Sequence, residues 1–194
     1  MSQYTVVPVG TVGSSVGSPL LHRAAAAESQ RIEAASIAPT LHEHFFIMSW
    51  VVSEFGDKLL TKEGLKNTSD VLAGKKLIGI YFSAHWCPPC RGFTPNLVNF
   101  YNEVKASGAN ELELVFVSSD SDESSYREYY GSMSFVAVPY DARDIKEKLA
   151  NKYGVRGIPT LIILDANGNM KDAGARGTVM SHMDNVQAAL SSWA

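Results

Sequence analysis

The sequence predicts an α/β fold, a central mixed β-sheet with helices on both faces. Three short apolar runs, Lys76 to Ala84, Glu113 to Ser118 and Thr160 to Asp165, read as strands buried on both sides. Helix-like patterns stand between them, over Phe93–Val104, Asp122–Tyr130 and Ala142–Tyr153. Asn167-Gly168 marks a tight hairpin into Met170-Lys171-Asp172. Alternating strands and helices argue for parallel pairs joined by right-handed crossovers, and the last hairpin makes one edge antiparallel.

Taken in order, residues 1–44 read as a flexible N-terminal extension and residues 45–194 as the folded domain. Gly, Ser, Val and Pro dominate up to Pro19, and Ala24 to Ala27 opens a short helix reaching Ser36. Such a segment has too little apolar surface to offset its ordering entropy. A mitochondrial-type presequence would draw on Arg23 and Arg31, but Glu28 and Glu33 oppose it. Met48, where a more globular pattern begins, is an alternative start.

Phe55 to Thr68 reads as a hairpin turning at Gly64, and Ser69 to Gly74 as a capped helical turn. The Asp122–Tyr130 helix has Ser119 or Ser121 as candidate caps and acids in its first turn. Phe135 to Pro139 is a short strand or extended link. In the Ala142–Tyr153 helix, Ile145, Leu149 and Tyr153 share one face, and Gly154 closes it. Val179 to Trp193 ends the chain as one helix.

Composition narrows the function classes. The 194 residues are 45% hydrophobic and 19% charged, as expected of a soluble globular protein. Net charge is −3 and no basic block occurs, which argues against nucleic acid as a partner. No apolar run approaches the ~18 residues of a membrane span, and no secretory signal is visible. Two cysteines exclude a disulfide-dense secreted scaffold, so a reducing, cytoplasmic setting is expected, with nuclear or mitochondrial placement as variants.

Both cysteines lie in Trp86-Cys87-Pro88-Pro89-Cys90-Arg91, where the first buried strand hands over to a helix. Cys87 falls at the helix N-cap and Pro88 at the first helical position, where a missing N–H costs nothing. The free amides and positive end of the helix favour thiolate at Cys87. Cys90 lies three residues on, on the same face, and is expected to be the more buried. One thiol attacks and the other resolves.

Competing chemistries fit less well. A c-type haem site needs His after the second Cys, and Arg91 stands there. Zinc needs about two more ligands, which only scattered His residues or carboxylates could provide. An inert buried pair leaves the proline-marked helix start unexplained. Asp120-Ser121-Asp122-Glu123 lacks the Gly and closing Glu of a calcium loop and reads as a helix-start charge cluster. His85 is a neighbouring titratable group, though a lone His there is more often simply exposed. A C-x-x-C in a βαβ setting is the pattern of a thioredoxin-like redox motif. For Ile158-Pro159, ahead of a buried strand, base rates favour a trans bond.

Trp86-Cys87-Pro88-Pro89-Cys90-Arg91-Gly92-Phe93-Thr94-Pro95, with Ile158-Pro159-Thr160 downstream, resembles the tryparedoxin/nucleoredoxin branch of the thioredoxin superfamily. Glu113 to Asp120, Val136 to Pro139, Tyr153-Gly154-Val155 and Ala175-Arg176-Gly177 extend the resemblance over roughly Phe55 to Gly177. It implies a thioredoxin fold, with Cys87 as exposed nucleophile and Cys90 as resolving thiol. It also implies a cis Ile158–Pro159 bond facing the disulfide, and this replaces the trans expectation. Substrate chains are then expected to dock beside Ile158 and Pro159 by strand addition. Trp86, Pro88 and Pro89 would wall the docking surface, and Arg156 and Arg176 would stand at its rim. Arg156 occupies a position where tryparedoxins carry an acid, a departure that leaves thioredoxin reductase, glutathione and a glutathione-derived dithiol all open as the reductant. Thioredoxins proper hold a buried acid six residues before the nucleophile. Here that position is Tyr81, which leaves water or the Tyr81 hydroxyl to handle the Cys90 proton.

The expected function is that of a thiol–disulfide oxidoreductase, a protein-disulfide reductase with no cofactor beyond its Cys87/Cys90 couple and no metal. The expected partners are disulfide-containing proteins such as peroxiredoxins, with an external dithiol or reductase as electron donor. The protein is expected to be a monomer. A redox-gated binding or scaffold module of nucleoredoxin type is the alternative. An extracytoplasmic thiol reductase of the cytochrome-maturation kind would need a signal or anchor.

Overall fold

The computed structural model describes residues 49–194. The expectations for the extension, its short helix, the presequence, the Met48 start and the boundary at residue 45 lie outside the described residues. Residues 49–55 are helical. The elements that follow are β1 (Lys58–Thr61), β2 (Gly64–Asn67), α1 (Thr68–Leu72), β3 (Leu77–Ser83), α2 (Pro88–Ala106) and β4 (Leu112–Ser118). Next come α3 (Glu123–Gly131), β5 (Val136–Ala137), α4 (Arg143–Lys152), β6 (Thr160–Asp165), β7 (Met170–Asp172), α5 (Ala175–Ser181) and α6 (Val186–Trp193).

All the strands join one sheet in the order β2-β1-β5-β4-β3-β6-β7. The crossover helices leave β3, β4 and β5 parallel, as their alternation with helices requires. β6 runs antiparallel to β3, and β7 folds back on β6. The other edge is antiparallel as well, because β1 pairs with β5 through Leu60 and Ala137. That contact joins residues about half the domain apart in the chain, so no local pattern announced it.

Every residue of β3 and of β4 is buried. With side chains alternating across the sheet, Leu77 and Tyr81 join Leu114, Phe116, Leu161 and Ile163 in a core covered by α2, α3, α5 and α6. Ile78, Ile80 and Phe82 join Val115, Val117, Ile162 and Leu164 in a second core under residues 49–55, α1 and α4. The second layer is pinned by Glu54, which accepts from Lys152 Nζ at 2.7 Å and from Tyr153 O–H at 2.6 Å.

α2 begins at Pro88 with Cys87 as its cap, as expected, and its helical pattern runs on from there through Phe93. Several local expectations change. α1 has no side-chain cap; the Asn67 side-chain Nδ2 donates to Asp70 Oδ2 instead. α3 is capped by Asp122, which accepts from the Ser125 amide, and not by Ser119 or Ser121. The terminal helix is two helices, because the Asn185 side chain accepts from the Ala188 amide and starts a new one.

Gly79 sits between Leu77 and Tyr81 on the α2 face. A Cβ there would collide with Leu114 Cδ2 and stand 3.1 Å from Ile163 Cδ1. Gly79→Val is therefore expected to lower stability by about 1–3 kcal/mol through overpacking. The measurement is a fall in the urea midpoint at unchanged slope.

Candidate active site

β3 ends at Ser83, and the chain turns through Ala84–Trp86 into α2. The turn is closed by the Cys87 amide donating to Ala84 O at 3.2 Å. Cys87 is extended, at φ −89° and ψ 108°, and its Sγ accepts from the Cys90 amide at 3.3 Å. A sulfur thus takes the capping position that an oxygen side chain usually holds. Pro88 follows as the first helical residue. Behind it lies a 19-residue helix whose dipole is positive at this end.

Cys87 and Cys90 form a disulfide with Cα atoms 5.2 Å apart. Cys90 is fully buried and Cys87 is 4% exposed. The expected order of burial holds, but Cys87 is itself buried in the disulfide form and not exposed. It packs with Ala84 and Ile158, and its Sγ lies 3.8 Å from Ile158 O. The Ile158–Pro159 peptide is cis. Pro159 also borders a cleft of about 370 Å³ shared with Thr160, Gly174 and Arg176, so two of the residues expected to meet a substrate share one hollow. Arg176 approaches the Phe93 ring, its guanidinium carbon 5.8 Å from the centroid. Pro88 and Pro89 are exposed, and so is Arg156.

Trp86 is 62% exposed, and its Nε1 donates to Ser119 O at 3.2 Å. Its role is therefore not core packing. The site loop leans on the end of β4 at two further points. The His85 amide donates to Asp120 Oδ1 at 2.8 Å, and the Ser119 amide donates to Ser83 O at 2.8 Å. Asp120 is 3% exposed and also accepts from Ser118 O–H. Asp120 is the residue that sequence reasoning misplaced. It sits in an acidic run in which Asp122 caps the helix and Glu123 stands in its first turn, whereas Asp120 serves the site loop instead. His85 is half-buried, stacked on Tyr129 with ring centroids 5.5 Å apart.

Four hydroxyls lie behind Cys90. Thr94 O–H donates to Cys90 O at 3.0 Å, and Thr94 Oγ1 lies 2.7 Å from Tyr81 Oη and 2.5 Å from Tyr129 Oη. Ser83 Oγ is 3.0 Å from Tyr129 Oη. A hydroxyl has one hydrogen. Thr94 spends its hydrogen on the carbonyl, so both tyrosines must donate to Thr94. Tyr129 has then spent its own, so Ser83 donates to Tyr129. Burial pushes the Tyr81 hydroxyl well above its ordinary pKa, so Tyr81 stays neutral and cannot act as a base. Among the described residues, no three His, Cys, Asp or Glu side chains gather to hold a metal ion.

A family profile described as Thioredoxin-like matches residues 74–170, from the end of the α1 turn to the start of β7. The chain belongs to the thioredoxin-like family. It is 42% identical to mouse (Mus musculus) nucleoredoxin over 126 residues, which are 65% of this chain and 28% of that protein. It is 43% identical to the tryparedoxin of Trypanosoma brucei brucei over 109 residues, 56% of this chain and 73% of that one. Among solved structures, native tryparedoxin I from Crithidia fasciculata superposes with a TM-score of 0.64 at 36% identity. That superposition covers 72% of this chain and 94% of the other. The chain therefore spans little more than a quarter of the nucleoredoxin it matches. It is a thioredoxin-family redox protein with the cysteine pair in place. No helix among the described residues is long and apolar enough to cross a membrane.

Two tests concern the supports of this thioredoxin-like site. Asp120→Ala removes the acceptor of the His85 amide and is expected to cost about 1–3 kcal/mol. Hydrogen exchange at that amide should speed up more than exchange in the centre of β3; equal effects would make Asp120 a generic stabiliser. Asp172 holds α5 and α6, accepting from Thr178 O–H at 2.7 Å, Trp193 Nε1 at 2.9 Å and the Gly174 amide at 2.8 Å. Burial would raise its carboxyl, but these donors outweigh burial and hold it below the usual range. A depressed carboxyl contributes stability that is present above its unfolded pKa of about 3.9 and lost as pH falls below it. Thermal melts of Asp172→Asn should therefore lack part of the wild-type acid slope.

Proposed function

We propose that this chain is a thiol–disulfide oxidoreductase working as a protein-disulfide reductase. The observation that carries the reading is the placement of Cys87 Sγ at the N-cap of α2, held by the Cys90 amide and faced by the Ile158 carbonyl of the cis Ile158–Pro159 bond. The helix end and the amide favour thiolate at Cys87 over thiol. That thiolate attacks one sulfur of a substrate disulfide, and the first substrate sulfur leaves as thiolate. The Cys90 thiol loses its proton and attacks Cys87 Sγ, the second substrate sulfur leaves, and the Cys87–Cys90 disulfide forms. Two electrons pass to the substrate, and an external dithiol or reductase returns them.

The redox group is the cysteine couple itself, with no further cofactor and no metal. An extended substrate chain docks against Trp86, Pro88, Pro89, Ile158 and Pro159, with Arg176 at the edge of the Pro159 cleft. Disulfide-bearing proteins such as peroxiredoxins suit a surface that offers backbone and an exposed indole. The same exposed Trp86 favours a second reading, a redox-gated binding module. Partner capture that persists when both cysteines are Ser would support that module over the reductase.

Cys87→Ser is expected to abolish dithiothreitol-driven reduction of insulin, and Cys90→Ser to accumulate mixed disulfides at Cys87, read by mass spectrometry. Undiminished turnover in the Cys87 variant would refute the mechanism.

A further inference from the structure

A second hollow, of about 360 Å³, opens between α2 and α3. Its walls include His85, Arg91, Pro95 and Val98, and it reaches Thr94 and Tyr129. Thr94 is 2% exposed and Tyr129 is 5% exposed, yet both of these members of the hydroxyl chain line the hollow. Tyr81 and Ser83 are fully buried and do not line it. The hydrogens in the disulfide form all point one way, from Ser83 to Tyr129 to Thr94 to the Cys90 peptide.

We propose that Tyr129 and Thr94 form the route by which a proton from the α2–α3 hollow reaches Cys90 when the disulfide is reduced. This rests on the reductase reading and deepens it. The external thiolate attacks Cys87 Sγ and forms a bond to it. The Cys87–Cys90 bond breaks, and its electron pair leaves on Cys90 as a buried thiolate. Burial disfavours that charge, and a poor leaving group slows exchange. The Thr94 hydroxyl turns from the Cys90 carbonyl to the sulfur and gives it a proton. Thr94 is resupplied by Tyr129, and Tyr129 by water in the hollow. The proton balance closes with one proton taken from solvent and one thiol formed. Tyr81 also donates to Thr94, but nothing in the hollow can resupply it, so Tyr81 is a spectator in this step.

The test is stopped-flow reduction of the oxidised full chain by dithiothreitol near pH 7, followed by tryptophan fluorescence in H2O and D2O. Tyr129→Phe and Thr94→Val are expected to slow the step by about 10²-fold, the low end of what positioned proton transfer supplies. Thr94→Ser should restore the rate, and Tyr81→Phe should keep it. The D2O slowing of the wild type should shrink in Tyr129→Phe, a change that loosened packing alone would not produce. Equal slowing by Tyr81→Phe and Tyr129→Phe, or an isotope effect unchanged in Tyr129→Phe, would overturn the route. A wild-type disulfide that dithiothreitol cannot reduce would overturn the reductase reading instead.

Discussion

The hand-over from β3 to α2 is the constraint on which the rest depends. A strand buried on both faces ends, and within a few residues a long helix must begin at the carboxyl end of that central strand. The amides of that first turn need an acceptor, and the acceptor is Cys87 Sγ. A single contact therefore serves two ends. It completes the helix, and it biases the sulfur toward the charged form that exchange requires. Pro88 makes the arrangement inexpensive, since it asks for no acceptor of its own.

Around that contact the fold distributes its labour by layer. The end of β4 steadies the loop through Asp120 and Ser119, on the side that presents Trp86. The start of β6 brings Ile158 and Pro159 to the other side of Cys87. α3 stands over the buried side of Cys90 and contributes Tyr129. The position that holds a carboxylate in thioredoxins proper is filled by a tyrosine tied into hydroxyls. A neutral network needs no counter-charge in the core, whereas a buried carboxylate would.

Much of this was legible in the residues. The apolar runs at Leu77, Leu112 and Thr160 had no polar face to be confused with, and Cys87-Pro88 announced its own helix start. Other features depended on partners far along the chain. Asp120 could not be separated from Asp122 by composition, because only the turn at Ala84 shows which of them is buried. The antiparallel pairing of β1 with β5 rests on one long-range register, and the break before α6 on one Asn side chain. The hydroxyl chain joins Tyr81, Ser83, Thr94 and Tyr129 from three elements, and nothing in their spacing marks them as a group.

The sheet order has a consequence for how the protein is made. β3 lies between β4, which follows soon after it, and β6, which is among the last strands synthesised. A chain emerging from the ribosome N-terminus first thus presents both cysteines and the whole of α2 well before Ile158 and Pro159 exist to cover them. Until β6 docks, β3 is an open edge and the thiols have no wall on one side. Nascent chains would then be the form most open to unwanted disulfides, and the guarded couple is acquired only when the last fifth of the chain arrives.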